Sequence, residues 1–544
     1  MNAAELTADI LRREGVEFLA CYPRNALIES CAAAGIRPVI CRQERVGVGI
    51  ADGFSRTAGN NRIGVFAAQS GPGIENAYPG IAQAYADNVP VLVLPSGSAL
   101  HRVYRRPAFD AVRAFDSVTK WAARAHTVDE LPALLHRAFH LLRSGRAGPV
   151  LIEVPAPVWQ QEFQGELNYE PARVTRSAPD PDDVEAAASL LLDADRAVIW
   201  AGQGVIRAEA TEALVRLAEY LDIPVLTTNP GKSAFPENHP LSLGASAVRS
   251  SPALSDALDK ADLVFAIGSS LTWTPFNPQI PQNKSFIHLT NAEDDINKEV
   301  RVTRTLLGDA RLGIESLLAV LSSRMDGPRA PHRATVTQGQ KQAFLEAWKP
   351  ELEANEIPLN PYRIISELQS RIDADDAVLT HDSGSPREHL VPFWESRSAG
   401  TYVGWGKTTQ LGHSLGLIMG ASLAQPEKTC VAVMGDAAFC MTGLDLDTAV
   451  KNRIPVLLVI LNNGVMACER DQLKITREKF DAFDIGGNYA DIATALGCWS
   501  KKVESPDAIA ASIDEALAVI KSGHPALLEF VTKDCYDFAG ERNV

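Results

Sequence analysis

The stretch TCVAVMGDAAFCMTGLDLDTAVKNRIPVLLVILNNGV (429–465) decides the fold. One apolar run ends in Gly435-Asp436, a second ends in Asn462-Asn463-Gly464, and a helix's worth of residues lies between them. Apolar runs without polar alternation belong to strands covered on both faces, as in parallel sheets. A strand–helix–strand crossover returns both strand ends to the carboxyl edge of one sheet, where open α/β sheets bind their ligands. Asp436 and Asn463 are therefore predicted to meet. Gly-Asp and Asn-Asn-Gly are each ordinary turns taken singly; the pair, each closing a buried strand, points to a site.

The same rhythm extends outward. Apolar runs at 62–68, 89–95, 149–155, 196–202, 223–228, 262–268, 286–290, 377–382, 429–436, 454–463 and 525–532 read as buried strands. Segments such as ATEALVRLAEYL (210–221) and SIDEALAVIKSG (512–523) carry helical periodicity between them. Alternation of this kind means parallel α/β layers. Residues 160–182 and 323–342 are rich in Pro, Arg, Gly and polar residues and read as linkers. The expected organisation is α/β, with three doubly wound parallel-sheet domains at 1–165, 183–323 and 343–544.

At 544 residues the chain exceeds what one core supports. A formal charge of −15 argues against a nucleic-acid partner. Arg102, Arg105 and Arg106 form the main basic cluster, better read as a solvated loop than as an anion site. The eight cysteines show no CxxC spacing and read as ordinary, mostly buried thiols in a reducing compartment. MNAAELTADILRREGVEF (1–18) is an amphipathic helix start without the apolar core of a signal peptide. No apolar run is long enough to span a membrane, and the expected location is cytoplasmic.

The chemistry suits the carboxyl edge. A small hard cation such as Mg²⁺ takes oxygen ligands and binds beside cofactor or substrate phosphates. Asp436 offers a carboxylate, Asn463 an amide oxygen and Val465 a backbone carbonyl. Gly435, Ala437 and Ala438 are small enough for a diphosphate to approach backbone N–H groups.

Here the chain resembles the thiamine-diphosphate enzymes of the acetolactate synthase and 2-oxo-acid decarboxylase superfamily, whose signature is Gly-Asp-Gly followed, one crossover later, by Asn-Asn. Ala437 replaces the last glycine of that triplet. The N-terminal unit is similar to the same family through ICRQERVGVGIADGFSRTAG (40–59) and AAQSGPGIENAYPGIAQAYADNVPVLVLPSG (67–97). The resemblance implies pyrimidine-binding, central and diphosphate-binding domains, with thiamine diphosphate and Mg²⁺ as cofactors. It makes Glu44 the carboxyl that hydrogen-bonds the cofactor's pyrimidine nitrogen, and burial among apolar groups favours the protonated form such a bond needs. Within KTTQLGHSLGLIMGA (407–421) it makes Leu411 the wedge under the bent cofactor and Thr409 the donor of a backbone carbonyl to the aminopyrimidine. It further implies a homodimer or homotetramer with active sites at subunit interfaces.

The reaction is less closely defined. The histidines of pyruvate and benzoylformate decarboxylases are absent, and Ala68-Gln69 stands there instead; Gln69 can bond a carbonyl but cannot shuttle protons. Phe109 and Lys120 fall where acetolactate synthases have matching residues. Asp110 replaces the expected glutamine, and its charge is expected to repel a carboxylate substrate. Glu469 matches a catalytic glutamate of the decarboxylases, or is an exposed charge beside Arg470 and Asp471; Cys468 next to it is a candidate pocket residue. GDAAFCMTGLDLDTA (435–449) also resembles the acyl-CoA-cleaving branch. WAGQGVIR (200–207) is a Gly-rich turn where some relatives hold FAD, equally explained as a strand–helix junction. The expected activity is carboligation or decarboxylation of a small 2-oxo acid through a cofactor-bound carbanion. The alternatives are a 2-hydroxyacyl-CoA lyase or oxalyl-CoA-decarboxylase-like C–C lyase, and a non-catalytic structural or regulatory paralogue.

Overall fold

The computed structural model describes all residues except 60, 248–249, 275–278, 471 and 541–544. Its strands form three six-stranded sheets in which every pairing is parallel. The first sheet holds β1 (Phe18–Cys21), β2 (Arg37–Ile40), β3 (Gly64–Ala68), β4 (Val91–Gly97), β5 (Trp121–Arg124) and β6 (Val150–Pro155), in the order β2-β1-β3-β4-β6-β5. The central sheet holds β7 (Ala197–Ala201), β8 (Val225–Thr227), β9 (Ser242–Ala245), β10 (Leu263–Ile267), β11 (Ser285–Thr290) and β12 (Arg304–Leu307), in the order β12-β11-β10-β7-β8-β9. The third holds β13 (Ala377–His381), β14 (Tyr402–Val403), β15 (Thr429–Gly435), β16 (Leu457–Asn462), β17 (Trp499–Val503) and β18 (Ala526–Val531), in the order β14-β13-β15-β16-β18-β17.

The predicted α/β class with doubly wound parallel sheets is therefore what the chain adopts, and all eleven predicted runs are strands. The apolar-run reading does not anticipate β1 or the six edge strands β2, β5, β9, β12, β14 and β17. The stretch 323–342 also departs from expectation: its second half belongs to a helix, His332–Leu352. That helix buries only Thr337, Phe344 and Trp348. So sparse a stripe leaves no apolar run to find.

Each sheet reverses its winding at one point, which opens a crevice at the carboxyl edge. In the third sheet that point lies between β13 and β15, in the first between β1 and β3. One apolar core joins these two sheets, with Phe54 and Phe66 from one side meeting Ile418 and Met434 from the other. Within it the helices Glu44–Thr57 and His413–Ala424 touch backbone to backbone. A Cβ on Gly53 would lie 2.0 Å from Leu417 O, and one on Gly420 would lie 2.1 Å from Ile50 O. Only glycine permits so close an approach. No helix among the described residues is long and apolar enough to cross a membrane.

Candidate active site

The crevice of the third sheet brings the two signature turns together. The strand β15 pairs with β16 in register, Gly435 opposite Leu461. Asp436 opens the helix that follows, and its Oδ2 accepts the Gly464 N–H at 2.8 Å while Oδ1 accepts that of Ala437 at 2.7 Å. The carboxylate is 2% exposed, and burial raises its pKa against the lowering effect of these backbone bonds. No lysine or arginine among the described residues pairs with it. A buried carboxylate lacking a cationic partner is costly unless it meets a cation, so the donor set fits the metal expected there. The Asn463 side chain is held at the same turn, its Oδ1 accepting the Val465 N–H at 3.2 Å. Val465 O already accepts Ala467 N at 3.0 Å, which leaves one lone pair. A Cβ on Gly435 would find only Pro386, at 3.7 Å, so this wall of the crevice is open.

The neighbouring wall is the segment 407–412, which leads into the helix His413–Ala424. Asp382, just past β13, is fully buried and accepts the N–H groups of Gly412 (2.9 Å) and Ser414 (3.0 Å). Burial raises its pKa too. Gly412 has φ +85°, and a Cβ there would lie 2.5 Å from Thr442 Oγ1. The Thr442 hydroxyl instead donates to Gly412 O at 2.9 Å. Leu411 is half-buried against the shared core, and Thr409 lies two residues before it.

The N-terminal domain supplies the facing residues. Glu44, 5% exposed, is the first residue of its helix and accepts the Asn76 side-chain N–H at 3.1 Å. A Cβ on Gly73 would lie 3.3 Å from Glu44 Oε1 and 2.6 Å from Gln69 Cγ, so both side chains flank that glycine. Neither neighbouring arginine pairs with Glu44. Arg42 turns to Asp447, and Arg45 donates to Leu411 O at 3.0 Å. A single chain thus brings the first turn of the Glu44 helix onto the segment that carries Leu411.

One expectation changes. Asp110 is not an uncompensated charge: it pairs with Arg124 at 2.6 Å and accepts the Arg113 N–H. Arg124 also holds buried Glu153, so one guanidinium neutralises two acids. Lys120 Nζ donates to Leu141 O and Ser144 O at 2.6 and 2.7 Å, closing the end of the helix Leu131–Arg143, and burial pulls its pKa down to about 8. That is a structural anchor. Phe109 packs edge-on against Phe115 at 6.4 Å. Glu469 lies in a short turn (Ala467–Glu469) and is half-exposed; Asp471 lies outside the described residues. Cys468 Sγ is 3.8 Å from Ser385 Oγ, across the crevice mouth. Arg102, Arg105 and Arg106 are exposed, as a solvated loop requires.

The residue-type reading passed over Asn76 and Asp382, and offered Arg45 only as an ion-pair partner of Glu44. Asp382 carried the same signal as Asp436, an acid closing a buried strand. Asn76 stood inside the quoted N-terminal motif.

A sheet crevice with a buried acid beside a half-buried amide, and a second domain bringing a buried glutamate's helix onto the neighbouring segment, suit a cofactor-dependent α/β enzyme. Three thiamine pyrophosphate enzyme models match the chain: the N-terminal TPP-binding domain at 1–116, the central domain at 184–317 and the C-terminal TPP-binding domain at 382–530. The chain belongs to this family, within the acetolactate synthase superfamily, and is a thiamine-diphosphate-dependent enzyme of C–C bond chemistry. It is 29% identical to a probable acetolactate synthase large subunit of Methanocaldococcus jannaschii, covering 98% of this chain and 92% of that one. It is 27% identical to the acetolactate synthase isozyme 3 large subunit of Escherichia coli K12, covering 98% and 95%. Glyoxylate carboligase of Escherichia coli O157:H7 is 26% identical, covering 96% and 91%.

Proposed function

We propose that the chain is a carboligase that takes a small 2-oxo acid as donor, releases CO2 and joins the remaining acyl unit to a second carbonyl compound. The observation that carries this reading is the pairing of Glu44 and Gln69 on either side of Gly73, beside the Leu411 segment. When bound, thiamine diphosphate supplies a nucleophilic carbon and an electron sink for a carbonyl substrate. Glu44, oriented by Asn76, is the carboxyl that would hydrogen-bond the pyrimidine nitrogen. Asp436, Asn463 and Val465 would hold Mg²⁺; Gly435, Ala437 and Ala438 leave room for the diphosphate. Leu411 would support the bound cofactor, and the Thr409 carbonyl would accept from its amino group. Gln69 orients a substrate carbonyl without supplying a proton, which favours capture by a second carbonyl over aldehyde release. Glu469, on the turn after Asn463, is the remaining candidate for proton transfer. Incubation with thiamine diphosphate, Mg²⁺ and a panel of 2-oxo acids, following CO2 and hydroxyketone, tests the reading. Turnover of 2-hydroxyacyl-CoA substrates alone would overturn it.

One observation favours that second activity, C–C cleavage of an acyl-CoA. A cavity of about 210 Å³ at the carboxyl edge of the central sheet is lined by Arg146, Arg176, Arg207 and Lys407 against Asp295 and Asp309, which leaves cations in excess for phosphates. FAD is an alternative occupant, and a flavin absorption band in the purified protein is the measurement that identifies it.

The homodimer or homotetramer with shared active sites is also part of the proposal and rests on the family likeness. Mixing Glu44→Gln and Asp436→Asn chains tests it. Recovered turnover is expected of shared sites; a mixture no better than its parents assigns each site to one chain, as the packing of Arg45 on Leu411 allows.

A further inference from the structure

We propose that Arg45 and Asp382 are positioning residues that grip the Leu411–Gly412 peptide from opposite sides, so that this peptide is held at both ends only when the Glu44 helix is docked. The inference rests on the reading of Leu411 as the cofactor's support.

The Arg45 guanidinium donates to Leu411 O at 3.0 Å, and Asp382 Oδ1 accepts the Gly412 N–H at 2.9 Å. These are the C=O and N–H of one peptide unit. The unit is planar, and its two polar groups point in opposite directions. Holding both ends removes its freedom to rotate about the flanking Cα bonds. Gly412 adopts φ +85°, and the next carbonyl along, Gly412 O, is taken by Thr442. Ser414 N adds a second bond to Asp382, which ties the start of the following helix to the same carboxylate. The backbone on the C-terminal side of Leu411 is thus bonded at Leu411 O, at both polar groups of Gly412 and at Ser414 N.

The two grips differ in origin. Asp382 closes β13 and belongs to the same domain as Leu411, whereas Arg45 comes from the first sheet's domain. Arg45 also follows Glu44 directly, in the first turn of one helix. The turn that presents the glutamate therefore also locks Leu411, so the two functions engage together. Two further bonds stitch the same segment to the helix Pro72–Ala86: Thr408 Oγ1 to Gln83 Oε1 at 2.6 Å, and Gln410 Nε2 to Pro79 O. Neither fixes the Leu411 peptide itself. Bonds to charged groups are roughly twice as strong as neutral ones, which makes Arg45 and Asp382 the dominant holds.

Amide hydrogen exchange on the cofactor-free protein reads the grip directly. In Arg45→Met, peptides covering residues 409–415 are expected to exchange about 10-fold faster or more, as loss of a bond to a charged donor predicts. Peptides covering 49–57 and 416–424 keep their protection. Thiamine diphosphate affinity, followed by tryptophan fluorescence, falls by a similar factor. Arg45→Lys restores part of both, and Asp382→Asn reproduces the faster exchange without altering the interface arginine. Wild-type exchange in Arg45→Met and Asp382→Asn, or loss of protection across the whole interface in both, would overturn the grip. Leu411→Ala separates the underlying reading: unchanged cofactor affinity there removes the role of Leu411, whatever the exchange data give.

Discussion

Gly464 donates its backbone N–H to Asp436 Oδ2 across 2.8 Å, tying the turn after β16 to the end of β15. The bond aligns the carboxylate beside Asn463 and leaves it buried without a countercharge. Asp436→Asn keeps the shape and removes the charge. Mg²⁺ affinity is expected to fall by more than the roughly 10–100-fold that loss of an outer-shell partner costs. Isothermal titration with Mg²⁺ and thiamine diphosphate reads this, and unchanged affinity would move the cation elsewhere.

Glu44→Gln removes the acid while Asn76 can still bond the side chain. Turnover is expected to fall about 10²–10⁴-fold, the usual range for loss of a positioned proton-transfer group, with cofactor affinity retained. Full turnover in this variant would return the chain to the non-catalytic alternative.

The charge of Asp110 is already spent on Arg124. Asp110→Asn is therefore expected to leave KM for a 2-oxo acid within about twofold, since a compensated charge exerts little field at a distance. Arg124→Met, by contrast, strands Asp110 and buried Glu153 and lowers the melting temperature by several degrees; breaking such a pair costs about 3–5 kcal/mol. A large KM change in Asp110→Asn with no change in stability would restore the repulsion first expected.

Asp445 sits between the domains, accepting the Arg42 N–H at 2.8 Å, and burial pushes its pKa up to about 6 from the ordinary carboxylate value of 3.8. The folded state then holds this proton more tightly than the unfolded chain. Its contribution to stability is present below pH 3.8 and is lost as pH rises toward 6. Asp445→Asn should therefore flatten the fall of melting temperature over that window, and an unaltered profile would deny Asp445 the effect.

Gly53→Ala would drive a methyl group to within 2.0 Å of Leu417 O. Backbone cannot yield as a side chain tip can, so the helices must part, at a cost of at least the roughly 1–3 kcal/mol typical of overpacking. Lower thermal stability together with weaker cofactor binding is expected. Wild-type behaviour would mean the two helices are not so closely docked in solution.

Much of this protein was determined by local sequence. Eleven strands were legible because strands inside a parallel sheet are covered on both faces and must be apolar throughout. Four edge strands were not, because an edge is partly solvated: β2 and β5 are largely half-buried, and β12 and β17 carry Arg304, Lys501 and Lys502; β9 and β14 are buried but only four and two residues long. The short interior β1 was hidden by its four-residue length. Asp436 and Asn463 were legible as a pair because one crossover fixes which sheet edge both turns share. The tertiary structure alone decided the rest. Whether Asp110 repels, what Lys120 bonds and what holds Leu411 depend on partners beyond their own elements: Arg124, Leu141 and Arg45. A residue's type states what it can bond; only the packing of helix on helix states what stands within reach.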